Sequence, residues 1–182
     1  VDVAEVSLYN NVLAGVNLEG NRFFYVNVLE ADGKKAFNHG RAGRSPWFGT
    51  ACCPSNMARL IPQVPGMIYS HTADDVFCGF YASGVTEIPL QGGTVSLTPQ
   101  SGFPCDGAIH IEVAPEADDA EFTLWLRIPT WCNDRFVPGD LYSYADPASA
   151  QVTAMVNGNK VSTRTADGYL PINRRWKAGD KV

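Results

Sequence analysis

Charged residues are scarce in this sequence: Asp, Glu, Lys and Arg make up 18% of its 182 residues, below the roughly 25% typical of soluble domains. We therefore expect other protein to cover part of the surface in the native context. The net charge is −5, and no run of basic residues is present, which argues against a nucleic-acid or acidic-lipid partner. No stretch reaches the roughly 18 apolar residues of a membrane span.

Neither an initial methionine nor a signal peptide opens the sequence, and both ends fall at predicted structural elements. We therefore expect a fragment of a longer protein, whose compartment, cytoplasmic or periplasmic, stays open. The cysteines are five in number and irregularly spaced: Cys52, Cys53, Cys78, Cys105 and Cys132. An odd, irregular set argues against a disulfide scaffold and favours reduced thiols with a metal-binding or catalytic pair.

The first part of the chain shows helical and loop patterns. Apolar residues at helical spacing predict a helix over 3–15, and the segments on either side of Glu19-Gly20-Asn21 predict a hairpin whose second strand, 22–27, is buried. Residues 31–46 are rich in glycine and charge and predict a loop. A second helix is predicted from Pro54 to about Ile61.

The second part of the chain is dominated by short β patterns. Alternating apolar residues predict strands over 108–113 and 122–128, and the Asn157-Gly158 pair predicts a hairpin turn. The remaining predicted strands cover 76–81, 85–89, 94–98 and 168–172. The fold class is therefore α+β and mainly β, with an antiparallel sandwich in residues 73–182 and a separate domain in residues 1–72.

The cysteine pair Cys52-Cys53 stands out because Pro54 follows it directly. Proline suits the first helical position, so Cys53 falls at or near the N-cap of the second helix. A helix start stabilises a thiolate, and two neighbouring thiolates need a cation, for which Zn²⁺ is well suited. Two alternatives stay open: buried packing, which is common for free cysteine, and a strained disulfide between neighbours.

Several sequence motifs together resemble glycoside hydrolase family 127, the β-L-arabinofuranosidase family. The most specific runs from Pro46-Trp47-Phe48-Gly49-Thr50-Ala51 through Cys52-Cys53-Pro54-Ser55-Asn56 to Pro65-Gly66-Met67-Ile68-Tyr69-Ser70. Supporting motifs are Glu5-Val6-Ser7-Leu8-Tyr9-Asn10, Arg22-Phe23-Phe24-Tyr25-Val26-Asn27 and Leu126-Arg127-Ile128-Pro129-Thr130-Trp131. The resemblance implies that residues 1–72 are the last part of an (α/α)₆ catalytic toroid and that an incomplete β-sandwich follows.

The resemblance also implies a site and a reaction. Cys52 would be the nucleophile of a retaining glycosidase, Cys52 and Cys53 would bind zinc, and Glu5 and Tyr25 would hydrogen bond the sugar. The remaining zinc ligands, a Glu-x-Cys motif, and the general acid/base glutamate lie upstream of Val1 in the family. We therefore expect this chain to be inactive alone and the full-length protein to act on an oligosaccharide or glycan. A homodimer is one assembly that the sequence leaves open.

Other interpretations of these residues stay open. The chain could be a non-catalytic carbohydrate-binding or structural module with a structural cysteine pair, or a zinc site whose ligands all lie within it. Glu5 could be a solvated helix carboxylate and Tyr25 a core aromatic, whereas Trp47 and Phe48 could line a sugar pocket or anchor the loop. The remaining candidates are expected to be structural: Asn56 and Arg59 would brace neighbouring segments by hydrogen bonds, and Cys78, Cys105 and Cys132 would be packing residues. Spacing does not favour His39, His71 or His110 as a zinc ligand, so these are expected to be surface or satisfied core histidines.

Overall fold

The computed structural model describes residues 1–50, 52–146 and 150–182. Two compact units form, Val1–Pro65 and Gly66–Val182. Regular strands lie in the second unit, and helices are few and short, so the prediction of a mainly β chain with antiparallel sheets is confirmed. Over the described ranges, no helix is both long and apolar enough to cross a membrane.

The first helix is mixed in type. Helix α1 covers Asp2–Ser7, a π-helical turn follows at Leu8–Val12, and a 3₁₀ turn at Leu13–Gly15 ends the helical run. The prediction of a helix over 3–15 is therefore right in extent, but only its first part is α-helical. The Asn10 side-chain amide donates to the Val6 carbonyl at 3.0 Å, and this local bond competes with the regular ladder.

The segment after the first helical run is irregular, which corrects the predicted buried strand over 22–27. Phe23 forms isolated bridges with Val16 and Ser45, while Val26 is 45% exposed. The turn of the predicted hairpin is present, because the Asn17 carboxamide oxygen accepts from the amides of Asn21 and Arg22 at 3.0 and 2.7 Å. This segment is therefore held by single bridges and side-chain hydrogen bonds rather than by a strand ladder.

Helix α2 covers Cys52–Leu60, and a 3₁₀ stretch at Ile61–Met67 follows. The helix therefore begins at Cys52, ahead of the predicted Pro54, and Cys53 is helical rather than an N-cap. Pro54 still lies in the first turn, where a missing N–H costs no intrahelical hydrogen bond. The regular helix gives way to the tighter 3₁₀ stretch just before Pro62, as expected for a residue that disfavours the α conformation before it.

The described part of the second unit contains ten strands. They are β1 Tyr69–His71, β2 Asp75–Cys78, β3 Thr86–Leu90, β4 Gly93–Ser101, β5 Ile109–Pro115, β6 Ala120–Arg127, β7 Met155–Val156, β8 Asn159–Lys160, β9 Tyr169–Trp176 and β10 Asp180–Lys181. A 3₁₀ turn lies at Thr130–Asn133. Strand β1 was not predicted, and the strand predicted over 76–81 is shorter because β2 ends at Cys78.

The strands form two four-stranded sheets and one hairpin. The sheet orders are β1-β2-β6-β9 and β10-β5-β4-β3, and β7 pairs with β8. Every pair is antiparallel except β2–β6, which is parallel. The predicted turn joins β7 to β8, and positive φ angles of 52° at Asn157 and 78° at Gly158 fit the type I′ turn that this sequence favours.

The hydrophobic core of the second unit draws on both four-stranded sheets. The alternation noted in the sequence determines which residues are buried: Ile111 and Val113 on β5, and Phe122 and Leu124 on β6, are at most 2% exposed. Trp176 on β9 is completely buried, stacks on Phe122 with ring centroids 5.5 Å apart, and donates its indole N–H to the Phe122 carbonyl at 3.0 Å. This arrangement satisfies the polar group of the largest core residue.

Candidate active site

The two adjacent cysteines lie side by side at the start of α2. Their Sγ atoms are 3.6 Å apart, and both are free thiols, so the disulfide between neighbours is not formed. Cys52 is exposed and Cys53 is half-buried. The packing interpretation therefore fails for Cys52 in this chain, because its thiol is open to a reacting group rather than enclosed by the core.

Tyr25 contacts the exposed thiol although it lies far from Cys52 in sequence. The Tyr25 hydroxyl is 3.3 Å from Cys52 Sγ, at hydrogen-bond distance. Hydrogen bonds with the tyrosine hydroxyl and the Cys53 thiol lower the pKa of Cys52, since both can donate to a thiolate. The pKa of Tyr25 is raised by the same hydrogen bond and by the negative charge of that thiolate.

Cys53 differs from its neighbour in its electrostatics. Partial burial raises the pKa of Cys53, and the adjacent Cys52 raises it further through their hydrogen bond and its charge. Without a bound cation, the first proton therefore leaves Cys52 and the second sulfur remains a thiol that donates to it. The pair is thus asymmetric: one exposed sulfur favours the thiolate, and the other supports it.

Asn38 holds Tyr25 in place, a role that the sequence did not indicate. Its side chain is completely buried, its carboxamide oxygen accepts from the Tyr25 backbone N–H at 2.7 Å, and its amide donates to the carbonyls of Gly43 and Phe23 at 2.8 and 3.4 Å. These bonds replace the strand partner that Tyr25 lacks. A buried asparagine between two loop segments gives no local pattern, so only the three-dimensional structure reveals it.

Phe48 and Trp47 fit different roles: Phe48 anchors the loop, and Trp47 is exposed to a possible ligand. Phe48 is 5% exposed and its ring centroid lies 5.5 Å from that of Tyr25, so it anchors the loop before α2. Trp47 is 65% exposed, while its carbonyl accepts from the Ser45 hydroxyl at 2.9 Å. Phe48 is therefore a packing residue next to Tyr25, and only Trp47 has a ring surface that a ligand could cover.

The other residues singled out in the sequence occupy varied positions. Glu5 lies on α1 and is 3% exposed, so the solvated-carboxylate interpretation is wrong. The Arg59 guanidinium donates to the Asn56 side-chain oxygen at 3.1 Å, a bond within α2 that does not test the expected bracing of neighbouring segments. The cysteines of the second unit are buried at positions 78 and 132, whereas Cys105 is exposed and is not the packing residue expected.

The cysteine pair fits part of a zinc site. Two sulfurs that bind one tetrahedral Zn²⁺ at about 2.3 Å lie about 3.8 Å apart, close to the observed Sγ separation of 3.6 Å. Within residues 1–50, 52–146 and 150–182, however, no group of three or more His, Cys, Asp or Glu residues could hold a metal. Cys52 and Cys53 therefore suit two positions of a site whose other ligands are not found among the described residues.

Known proteins match both units of the chain. Residues 1–66 match the family model described as the β-L-arabinofuranosidase GH127 catalytic domain, and residues 75–182 match the GH127 middle domain. A curated non-reducing end β-L-arabinofuranosidase from Bifidobacterium longum subsp. longum is 32% identical over 191 residues, which cover 100% of this chain and 26% of the relative. The match therefore extends over the whole chain.

Solved structures give the same result. A GH127 β-arabinofuranosidase matches 99% of this chain and 27% of its own, with a TM-score of 0.87 and 41% identity. A GH127 β-L-arabinofuranosidase from Geobacillus stearothermophilus T6 matches 99% of this chain and 26% of its own, with a TM-score of 0.77 and 35% identity. The chain spans about a quarter of the length of these relatives. It belongs to glycoside hydrolase family 127.

Proposed function

We propose that the full-length protein is a retaining glycoside hydrolase that acts on β-L-arabinofuranosides, and that this chain supplies its nucleophile, Cys52. Family membership supports the reaction class, and the names of the relatives support the sugar. The observation that carries the proposal is the exposed Cys52 sulfur, 3.3 Å from the Tyr25 hydroxyl and 3.6 Å from the Cys53 sulfur. This arrangement favours a thiolate at a position that a substrate can reach.

The reaction follows from a sulfur nucleophile in a double displacement. The Cys52 thiolate attacks the anomeric carbon and forms a C–S bond as the glycosidic C–O bond breaks. The leaving oxygen takes a proton from a carboxylic acid supplied from outside this chain. Water, deprotonated by the resulting carboxylate, then displaces the sulfur, so the anomeric configuration is retained and the thiolate is restored.

The two residues next to Cys52 have different roles in this proposal. The Tyr25 hydroxyl donates a hydrogen bond to the thiolate before attack. Once the sulfur is bonded to carbon, the hydroxyl becomes available to a sugar hydroxyl. Cys53 and Cys52 would hold Zn²⁺ together with ligands from outside this chain, and bound zinc would keep both sulfurs deprotonated at neutral pH. Glu5 is proposed as a second sugar-binding residue on the basis of the family resemblance alone.

The finer architecture is also a proposal. The helical first unit, Val1–Pro65, would be the end of an (α/α)₆ toroid, and the two four-stranded sheets of the second unit, Gly66–Val182, would be the layers of a β-sandwich. The contribution of both sheets to one buried cluster supports the sandwich. The remaining helices of the toroid would lie in the part of the full-length protein that corresponds to the regions of the relatives outside this match.

The test uses the full-length protein with Cys52→Ser and Cys53→Ser, and with Cys105→Ser as the control because Cys105 is also exposed and free. Hydrolysis of an aryl β-L-arabinofuranoside and zinc content are measured together. Cys52→Ser should abolish turnover, and both substitutions in the pair should lower zinc content, whereas the control should change neither. Normal turnover of Cys52→Ser would refute the nucleophile, and a wild-type protein without activity would favour a non-catalytic module.

A further inference from the structure

His39 lies at the centre of a tight turn whose backbone does not require histidine. The Asn38 N–H donates to the Arg41 carbonyl at 2.9 Å, and the Arg41 N–H donates back to Asn38 at 3.2 Å. The two central residues have positive φ angles, 50° for His39 and 80° for Gly40, as in a type I′ turn. Asparagine followed by glycine is the usual solution for this turn, so the imidazole is not explained by the backbone.

The turn brings the His39 ring against the residue that contacts the nucleophile. The ring centroids of His39 and Tyr25 are 4.0 Å apart, with an interplanar angle of 61°, and the Tyr25 hydroxyl reaches Cys52 Sγ. The position of the turn is fixed by Asn38, which is completely buried and accepts from the Tyr25 backbone N–H. The imidazole and the thiol are therefore placed by one connected set of contacts.

The exposure of His39 matters because its side chain remains available to a ligand. Phe48 closes one side of the group, with its ring centroid 5.6 Å from that of His39. A neutral imidazole offers one N–H donor and one acceptor nitrogen, which suits a sugar hydroxyl that both donates and accepts. The half-buried Tyr25 ring next to it offers some apolar surface to the C–H groups of a sugar.

We propose that His39 is a substrate-binding residue that hydrogen bonds a hydroxyl of the arabinofuranoside, or of the sugar next to it, when the anomeric carbon lies at Cys52. This inference rests on the proposed function, because it uses the same site and the same sugar. It assigns His39 neither to zinc binding nor to proton transfer. The hydrogen bond from His39 would stabilise the bound substrate and the transition state equally, so it would contribute to binding.

Two substitutions in the full-length protein separate binding from packing. His39→Asn keeps a residue that adopts positive φ readily but shortens the side chain, and His39→Phe keeps a ring against Tyr25 but removes both nitrogens. His110→Asn is the matched control, because His110 is an exposed histidine on β5 in the other unit. The readouts are kcat and KM for an aryl β-L-arabinofuranoside, binding of L-arabinose by calorimetry, and zinc content.

Both His39 substitutions should raise KM roughly three- to tenfold, the effect of one lost hydrogen bond, and should weaken arabinose binding similarly. The value of kcat should change little, because binding that is equal in the ground and transition states affects KM alone. Zinc content and the His110→Asn enzyme should match the wild type. Unchanged KM in both variants, or wild-type KM in His39→Phe, would overturn the inference while leaving the nucleophile assignment intact.

A different pattern would show failure of the proposed function itself. A wild-type protein that neither hydrolyses the aryl glycoside nor binds arabinose would overturn both the reaction and the role of His39. Loss of zinc in the His39 variants would also overturn the inference, since it would mean that the imidazole supports the metal site. If the wild type is active and Cys52→Ser is not, the proposed function stands. The His39 variants then test the role of His39 alone.

Discussion

Asn38→Ala tests whether the buried carboxamide holds Tyr25 against Cys52. Its side chain makes two short hydrogen bonds, at 2.7 Å from the Tyr25 N–H and 2.8 Å to the Gly43 carbonyl, and one longer bond at 3.4 Å to the Phe23 carbonyl. A buried polar group that loses its partner costs about 1–3 kcal/mol. Two such groups in a partly buried setting give an expected loss of about 2–4 kcal/mol in local stability.

The assay is hydrogen exchange of the full-length protein, followed by mass spectrometry of peptides from residues 23–45. A loss of about 2–4 kcal/mol should accelerate exchange there by roughly 30- to 1,000-fold if opening is fast relative to exchange. Asn27→Ala is the control: Asn27 also makes two bonds, both at 2.9 Å to Asn11, but it is exposed. Equal exchange in the two variants would refute the reasoning, because burial is what distinguishes them.

Three further predictions concern side chains with shifted pKa values. In zinc-depleted protein, Tyr25→Phe should raise the pKa of Cys52, so its alkylation by iodoacetamide should need higher pH; an unchanged pH profile would contradict the hydrogen bond. Exposed Cys105 should react in the native state, whereas Cys78 should not, because burial raises its pKa to about 12; mass spectrometry of alkylated peptides would show this. Although burial opposes it, hydrogen bonding and nearby positive charge lower the pKa of Asp180. Its stabilising effect should therefore be full above the unfolded pKa and lost as pH falls through the folded one. Urea unfolding should show a smaller gap between wild type and Asp180→Ala at pH 3 than at pH 7.

The β part of the fold could be read from the sequence because its signals are local. Strands β5 and β6 alternate apolar and polar residues, and one face of each is buried as that period requires. The Asn157-Gly158 pair predicted its turn for the same reason. The parallel pairing of β2 with β6 could not be predicted this way, because it joins segments nearly fifty residues apart, from Asp75↔Thr123 to Cys78↔Leu126.

The failed strand over 22–27 shows where local patterns mislead. Its apolar residues predicted two covered faces, but the Asn38 side-chain oxygen takes the place of a neighbouring strand at Tyr25, and Phe23 forms isolated bridges to Val16 and Ser45. The contact of Tyr25 with Cys52 was equally inaccessible to spacing arguments. The family resemblance placed both residues in one site but did not predict that they touch, and nothing in the sequence indicated Asn38.

The two adjacent cysteines show how one helix start can give neighbouring thiols different chemistry. Both share the first turn of α2, so the helix terminus alone cannot distinguish them. The distinction comes from their surroundings. Cys52 is exposed, and its hydrogen bond with the Tyr25 hydroxyl lowers its pKa, whereas partial burial, the hydrogen bond with Cys52 and the charge of Cys52 all raise the pKa of half-buried Cys53. An exposed sulfur with a tyrosine donor suits the proposed attack on an anomeric carbon, and a half-buried sulfur suits the proposed role of a metal ligand. Tyr25, which lies on a loop that Asn38 fixes, therefore favours Cys52 over Cys53 as the proposed nucleophile.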